Sequence, residues 1–370
     1  MFDAYVTCFL PDLVDEGLDP VLDRLQGEVG ASGITVPIAT PPVAHVRRAP
    51  GQAGRILRSR GGVFIQTEDR FFDGTRIKPV LSNWLKGRNP LQQVTERCRA
   101  RELGVRVEIS CTLTGRIATR YPESATKTVL GDASPLRMCL INPDVCEWLR
   151  GLVINVCQSF APAAIELADF HAGRPEFTST NAYGGAPLDQ ETADLLSICF
   201  CESCRQTAAR GGVDVAAAAR AATVRIEQLL TGDARSNAES SEPLRHYRQT
   251  QRVALERVLG EVLAASSAPV TLLRYSGDPI FGETPTTHGR PIARMLAAGD
   301  VDAAVEPGTA EIRLPLAGRS RTDPQALVRT MTSLTERGLR VMELFHYAVA
   351  TPSDLRIARQ AIRFARRTAG

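Results

Sequence analysis

The chain has 370 residues, of which 44% are hydrophobic and 23% charged, and its formal net charge is +3. This length and composition can fill one large α/β barrel as well as two domains. The near-neutral charge, without a lysine- or arginine-rich block, argues against a nucleic-acid-binding protein, and the lack of a run of about 18 apolar residues argues against a membrane protein.

Short apolar, β-branched runs alternate with longer helical patterns, which is typical of βα units and a parallel sheet. The predicted strands are residues 3–10, 33–39, 105–112, 163–169, 269–275, 301–306, 311–317 and 340–347. Eight such strands in a chain of this length predict an α/β fold of the (β/α)8 TIM-barrel type. The short link between the sixth and seventh strands predicts that the sixth helix is missing or reduced.

Five helices are predicted from apolar residues at i, i+3 and i+4 spacing. They cover residues 90–103, 143–159, 244–265, 324–337 and 353–368. Two of them begin with a capping residue followed by proline, at Asn142-Pro143 and at Thr351-Pro352.

We expect residues 1–370 to form a single barrel domain with two long insertions at its rim. Residues 40–88 follow the second strand and contain a candidate hairpin at residues 61–66. Residues 170–245 follow the fourth strand and include a polar, loop-like stretch at residues 232–243.

A cysteine cluster lies in the second insertion. Cys199, Cys201 and Cys204 have the spacing C-x-C-x2-C, which allows three thiolates to converge on one tetrahedral Zn²⁺. Cys139 is the best candidate for the fourth ligand, and four thiolates would make the zinc structural, because no position is left for water. The alternative is that these are ordinary buried thiols.

The cellular location follows from the cysteines and the first residues. The chain has nine cysteines, and its apolar start is too short and lacks the basic residues of a signal peptide. We therefore expect a cytoplasmic protein, in which clustered thiols bind metal and do not pair as disulfides. The chain could also form a homo-oligomer.

The active site of such a barrel lies at the carboxyl ends of the strands. Carboxylates that converge there could carry out glycoside hydrolysis, in which one carboxyl protonates the leaving oxygen and another attacks or activates water. The candidate catalytic residues are Asp169, Glu166 and Glu306. The candidate substrate-binding residues are Glu108, Arg116, His171, Arg274, Tyr275, Glu343, His346 and Tyr347.

Strand alternation places Glu166 and Asp169 on opposite faces unless the strand bends near Ala168. Asp169, at the strand end, is the favoured acid/base, and Glu166 is a second candidate or the buried partner of an arginine. Asp169, His171 and His346 could form a metal site, but no local ligand spacing supports one. The other histidines, including His45, are interpreted as surface or structural residues.

The run Ser197-Ile-Cys-Phe-Cys-Glu-Ser-Cys-Arg205 resembles the cysteine cluster of family 42 β-galactosidases, which are (β/α)8 glycosidases that bind zinc beside the active site. The resemblance implies that Cys139 is the fourth ligand and that Asp169 occupies the acid/base position, where that family has Glu. Ala168 replaces the preceding Asn, and no nucleophile Glu is evident at residues 315–319.

The chain also resembles uncharacterised glycoside-hydrolase-like barrel proteins of actinobacterial type. Residues 74–79, 139–143, 165–167 and 195–201 carry this resemblance, together with Tyr347 and Pro352 before the last helix. It implies a fold and no measured activity.

The sequence therefore predicts a glycosidase that acts on a small glycoside or a sugar-containing metabolite, with no nucleic-acid or membrane partner. Two alternatives remain. One is an isomerase, epimerase or lyase on the same barrel, acting on a sugar-like intermediate, and the other is a non-catalytic carbohydrate-binding barrel whose strand-end carboxylates are engaged in salt bridges.

Overall fold

The computed structural model describes residues 2–48, 55–171, 188–232, 241–275, 292–295, 309–316 and 325–370, with only the backbone described at 274–275 and 292–295. Its centre is a ring of parallel strands. In chain order these are β1 (Asp3–Thr7), β2 (Gly33–Thr40), β3 (Gly104–Ser110), β4 (Ala164–Ala168), β5 (Val270–Tyr275), β6 (Ile292–Met295), β7 (Thr309–Pro315) and β8 (Val341–Phe345).

Each strand pairs in parallel with the next one along the chain, and β8 returns to pair with β1. The ring closes where Asp3 aligns with Val341, and β1 also pairs with β2, with Tyr5 opposite Gly33. The predicted (β/α)8 barrel is therefore confirmed.

The sixth strand was assigned to the wrong segment. The sixth position of the ring is held by β6, which pairs with β5 on one side and β7 on the other. The predicted strand at 301–306 lies outside the described residues, and so does the link to β7. The run Ile-Ala-Arg-Met of β6 has only four residues, fewer than the six of the predicted run, and contains a charge, which explains why it was not recognised as a strand.

The helices surround this ring. They are α1 (Leu10–Glu16), α2 (Leu18–Asp23), α3 (Pro90–Arg99), α4 (Gly115–Arg120), α5 (Pro143–Phe160), α6 (Gln190–Ser197), α7 (Glu202–Arg210), α8 (Val215–Thr231), α9 (Glu242–Ala265), α10 (Ala326–Glu336) and α11 (Pro352–Thr368). The predicted starts are confirmed. Asn142 accepts hydrogen bonds from the backbone of Asp144 and Val145, and Thr351 forms a reciprocal capping box with Asp354.

Smaller strands lie at the carboxyl end of the barrel. Val43–Val46 and Ile56–Ser59 form an antiparallel hairpin, whereas Gly62–Val63 pairs antiparallel with β2. The expected hairpin at residues 61–66 is therefore not formed within that run. After β3, Ala125–Lys127 pairs with Ala133–Met138. These pieces extend the rim of the barrel around its mouth.

The helices α6, α7 and α8 fall in the segment predicted as the second insertion, and α9 packs against both α8 and α5.

In the described part of the chain, no helix has both the length and the apolar character that crossing a membrane would require. In β3, β4, β7 and β8 the outward-facing side chains are apolar and buried, whereas the inward-facing ones include charged residues.

Candidate functional site

The structure brings together the four cysteines that the sequence singled out. One sulfur from each of Cys139, Cys199, Cys201 and Cys204 lies within 4.8 Å of the other three, and all four side chains are buried. The Sγ atoms of Cys139 and Cys204 are 3.5 Å apart, too far for a disulfide, in which the sulfurs are about 2.05 Å apart. The expected position of Cys139 beside the run is confirmed.

Neighbouring elements fix this cluster. Cys139 directly follows the strand Ala133–Met138. Cys199 lies between α6 and α7, Cys201 is the N-cap of α7, and Cys204 is in its first turn. From α9, the Tyr247 hydroxyl and the Gln251 amide both donate to the carbonyl of Cys199, at 2.9 and 2.7 Å. The Tyr247 ring also stacks on Phe200. The turn that carries the thiols is thus held in place by α9.

A polar group lies at the ends of β3 and β4. Asp169 follows β4 in a left-handed conformation with φ 56°, and its Oδ2 accepts a hydrogen bond from the Ser110 hydroxyl at 3.0 Å. His171 Nε2 is 3.8 Å from the other carboxylate oxygen and 3.5 Å from Arg137 Nη1. The backbone turn at Asp169 is the bend that would let Asp169 and Glu166 face the same interior.

The surroundings of Asp169 favour its ionised form. Burial would raise the pKa of this carboxyl, but hydrogen bonding and charge attraction from His171, with further attraction from Arg137, lower it to about 2. Arg137 was not predicted as a site residue. It lies on the strand Ala133–Met138, two residues before Cys139, so it connects the cysteine cluster to Asp169.

The barrel interior contains a network of ion pairs. Arg313 on β7 donates to Glu108 on β3 at 2.6 Å and to Glu343 on β8 at 3.1 Å, and it also pairs with Glu166 on β4. A second arginine, Arg106, pairs with Glu166 at 2.8 Å and with Glu311, and Thr7 donates to Glu343. Four carboxylates therefore share two guanidinium groups.

The network splits the pKa values of its carboxyls. Burial raises the pKa of Glu166 well above its usual range, with repulsion from Glu343 adding to the effect. For Glu343, burial acts in the same direction, but attraction by Arg313 and Arg106 outweighs it and the pKa is lowered. Burial also raises the pKa of Glu108, against the attraction of Arg313. Environments that separate the pKa values of neighbouring carboxyls are typical of acid/base sites.

Exposure separates these carboxyls into two groups. Glu166 and Glu343 are fully buried. Glu166 contacts two arginines, in agreement with the alternative interpretation of this residue as the buried partner of an arginine. The side chain of Glu108 keeps 12% of its area accessible. Among the predicted carboxylates within the described residues, Glu108 and Asp169 are therefore the two closest to solvent at the mouth.

The remaining predicted residues lie in several places. Arg116 lines a cavity of about 220 Å³ beside Trp84 and donates to the carbonyl of Leu81 at 2.8 Å. Tyr347 is fully buried, and its hydroxyl donates to Glu16 at 2.9 Å. This bond engages the Tyr347 hydroxyl within the fold, and the substrate-binding role of Tyr347 stays a prediction.

Three predicted residues cannot be compared in full. Arg274 and Tyr275 belong to β5, where only their backbone is described, and Glu306 lies outside the described residues.

His346 follows β8 and packs against Phe9 and His45. Burial, with repulsion from His45 second, lowers the pKa of His346 to about 4.

The sequence did carry a signal for the ion-pair network. Charged residues alternate with apolar ones in β3 and β7, as in Arg106-Val-Glu108 and Glu311-Ile-Arg313, and alternation of this kind points every second side chain to the inside of a barrel. The partners across the barrel could not be assigned in this way.

Several known structures align with this chain over most of its length. The PgaB (BpsB) glycoside hydrolase domain from Bordetella bronchiseptica aligns with a TM-score of 0.54 at 14% identity, over 98% of this chain and 99% of that one. A β-galactosidase from the psychrophilic Marinomonas ef1 aligns with a TM-score of 0.52 at 9% identity, over 98% of this chain and 59% of that one.

An α-L-fucosidase isoenzyme 2 from Paenibacillus thiaminolyticus aligns at 12% identity with a TM-score of 0.49, and the chain spans about half of it, 49%. No protein-family model and no curated protein matches the sequence. The first two structures are those of glycoside hydrolases, and at 14% and 9% identity their likeness to this chain shows the fold alone, an α/β barrel.

Proposed function

We propose that the protein is a glycoside-hydrolase-type enzyme that acts on a small glycoside or a sugar-containing metabolite. The observation that carries this proposal is the pair Asp169 and Glu108, on neighbouring strands at the barrel mouth. Their environments push the two pKa values in opposite directions, down for Asp169 and up for Glu108, and such a separation is typical of paired acid and base groups.

The two residues take different roles in this proposal. Glu108, with the raised pKa, is the acid that protonates the leaving oxygen. Asp169, held as a carboxylate by His171 and Arg137, attacks the anomeric carbon or activates a water molecule. This changes the roles expected from the sequence, where Asp169 was the favoured acid/base and Glu108 a substrate-binding residue.

A panel of aryl glycosides tests the proposal. We expect Asp169→Asn and Glu108→Gln each to reduce turnover by orders of magnitude while the circular dichroism spectrum stays unchanged. Asp132→Asn, in the exposed turn before the strand Ala133–Met138, is the control and should retain wild-type turnover. Full activity in both site variants would exclude these roles, and NMR of the released sugar would distinguish retention from inversion.

A non-catalytic carbohydrate-binding barrel is the second candidate. It is favoured by Glu166, Glu311 and Glu343, which are buried and engaged with arginines, and by the end of β7, where the described residues Pro315 and Leu316 offer no carboxylate. Saturable binding of a sugar, measured by calorimetry, without hydrolysis of any glycoside in the panel would support this candidate over the enzyme.

We also propose that the four clustered cysteines hold a structural Zn²⁺. Tetrahedral ligands about 2.3 Å from a metal are separated by about 3.8 Å, close to the 3.5 Å between Cys139 and Cys204. Zinc there would join the predicted 170–245 insertion to the loop after β3 and would need the reducing environment expected of a cytoplasmic protein.

Elemental analysis of the purified protein tests the zinc site. We expect Cys201→Ser to lose the metal and to melt at a lower temperature, because a closed thiolate site contributes directly to folding free energy. Cys98→Ser, which removes another buried thiol outside the cluster, should keep the zinc. Equal zinc content in the two variants would refute the assignment.

A further inference from the structure

A second group of possible metal ligands lies on another side of the barrel mouth. Asp12 is in the first turn of α1 after β1, His346 directly follows β8, and His45 lies on the hairpin strand Val43–Val46. One donor atom of each residue lies within 4.8 Å of the donor atoms of the other two. None of them belongs to the cysteine cluster, and His346 lies with Asp12 and His45 and not, as considered from the sequence, with Asp169 and His171.

The three donor atoms are close enough to share one metal ion. His45 Nε2 and Asp12 Oδ2 form an ion pair at 3.2 Å that lacks the geometry of a hydrogen bond, and His346 Nδ1 makes no hydrogen bond. Nitrogen and oxygen ligands about 2.0–2.2 Å from a tetrahedral ion are separated by roughly 3.4 Å. Buried polar atoms without hydrogen bonds are costly unless something binds them together.

The surrounding residues orient the carboxylate. Arg47 Nε donates to the other oxygen of Asp12, Oδ1, at 2.7 Å, which leaves Oδ2 directed at the histidines. The charge of Arg47 is offset by Asp15, 2.8 Å from its Nη2. Phe9 packs against both imidazole rings and fixes their positions. Hydrogen-bonded carboxylates and packed imidazoles are the outer support that metal ligands usually have.

We propose that Asp12, His45 and His346 bind a divalent transition-metal ion such as Zn²⁺ or Fe²⁺. Two imidazoles and one carboxylate suit ions of this class, and three protein ligands leave at least one coordination position open. The open position would take a water molecule or an oxygen of a bound sugar. This site is therefore of the exchangeable type, unlike the closed cysteine cluster.

Cobalt serves as the probe, because Co²⁺ binds at zinc-type sites and absorbs visible light. The full chain is loaded with one equivalent of Zn²⁺, which the four-thiolate cluster takes first, and is then titrated with Co²⁺. We expect weak visible bands from cobalt at the Asp12 site without the near-ultraviolet charge-transfer band that thiolate ligands produce. Cobalt in the cysteine cluster would show that band, so the outcomes for the two proposed sites are distinguishable.

His45→Gln is the test variant, since His45 lies at the rim and keeps 11% of its side chain accessible. Removing a ligand should weaken cobalt binding at least as much as removing an outer partner does, about 10- to 100-fold. Asp12→Asn should do the same, and the circular dichroism spectrum of both variants shows whether they remain folded.

A matched control completes the experiment. His246→Gln removes an exposed histidine of α9, away from the site. This variant should bind cobalt like the wild type. The proposal is overturned if folded His45→Gln binds cobalt with wild-type affinity, or if wild-type protein shows no cobalt bands other than those with thiolate character.

Discussion

Arg313 is expected to be the most costly single side chain to remove from the barrel interior. It is 1% accessible and pairs with three carboxylates, Glu108, Glu166 and Glu343. Arg313→Met keeps most of the side-chain volume but leaves these carboxyls with Arg106 as the remaining cation of the network. Breaking a buried ion pair by removing one partner costs about 3–5 kcal/mol, and we expect a loss of unfolding free energy of that size at neutral pH.

The loss should depend on pH in a defined direction. The pKa values of Glu108 and Glu166 are already raised in the folded protein, so their contribution to stability falls as pH rises from their unfolded values through their folded values. Without Arg313 these pKa values rise further, so the penalty should be larger at alkaline pH and smaller in mild acid, where the carboxyls are protonated.

Urea titrations between mild acid and mild alkali would measure this penalty, with the slope of each transition compared with that of the wild type. Arg76→Met is the control, because Arg76 pairs with Asp144 on the surface and is 71% accessible. Its urea midpoint should not move. A penalty for Arg313→Met that is below about 1 kcal/mol, or that does not change with pH, would refute the reasoning, since exposed pairs contribute only about that much.

Two further predictions concern catalysis and packing. If Glu108 is the acid and Asp169 the ionised carboxylate, kcat/KM should fall on the alkaline side as Glu108 deprotonates. It should stay level in mild acid, because the pKa of Asp169 is about 2. A steep decline of kcat/KM as the pH falls from about 6 to about 4 would contradict this assignment. In α5, a Cβ at Gly151 would lie well inside 3.0 Å of the Phe71 carbonyl, so Gly151→Ala should destabilise the protein by about 1–3 kcal/mol despite better helix propensity. At Gly260 in α9, no atom lies within 4 Å of an added Cβ, so Gly260→Ala should stabilise the protein by roughly 0.5–1 kcal/mol. Thermal melting of both variants measures the contrast, and equal shifts in melting temperature would contradict it.

Features encoded by local spacing could be predicted from the sequence. The cap at Asn142 and the capping box at Thr351 involve residues two or three positions apart, and both helices begin where expected. The cysteine spacing placed three thiols in one turn, and Cys139 joined them because its strand lies beside that turn. Where the interacting residues are only a few positions apart, the sequence pattern was sufficient to predict the local structure.

Features that depend on closing the barrel could not be predicted. Arg313 and Glu108 are 205 positions apart, and their contact exists only because β7 and β3 face each other across the interior. Asp12 and His346 meet for a similar reason, since β8 pairs with β1. The sequence shows that such residues are polar and lie near strand ends, but it does not specify which of several possible partners they meet.

The pairing of Asp3 with Val341 has a consequence for how the protein folds. This contact spans nearly the whole chain, and contacts of such long sequence separation form slowly because the intervening chain must first be ordered. During synthesis, β1 leaves the ribosome long before β8 exists, so one edge of the nascent sheet stays without its final neighbour and is exposed to aggregation. We expect closure of the ring to be a late step in refolding, and the grouping of Asp12 with His346 to be among the last parts of the molecule to form.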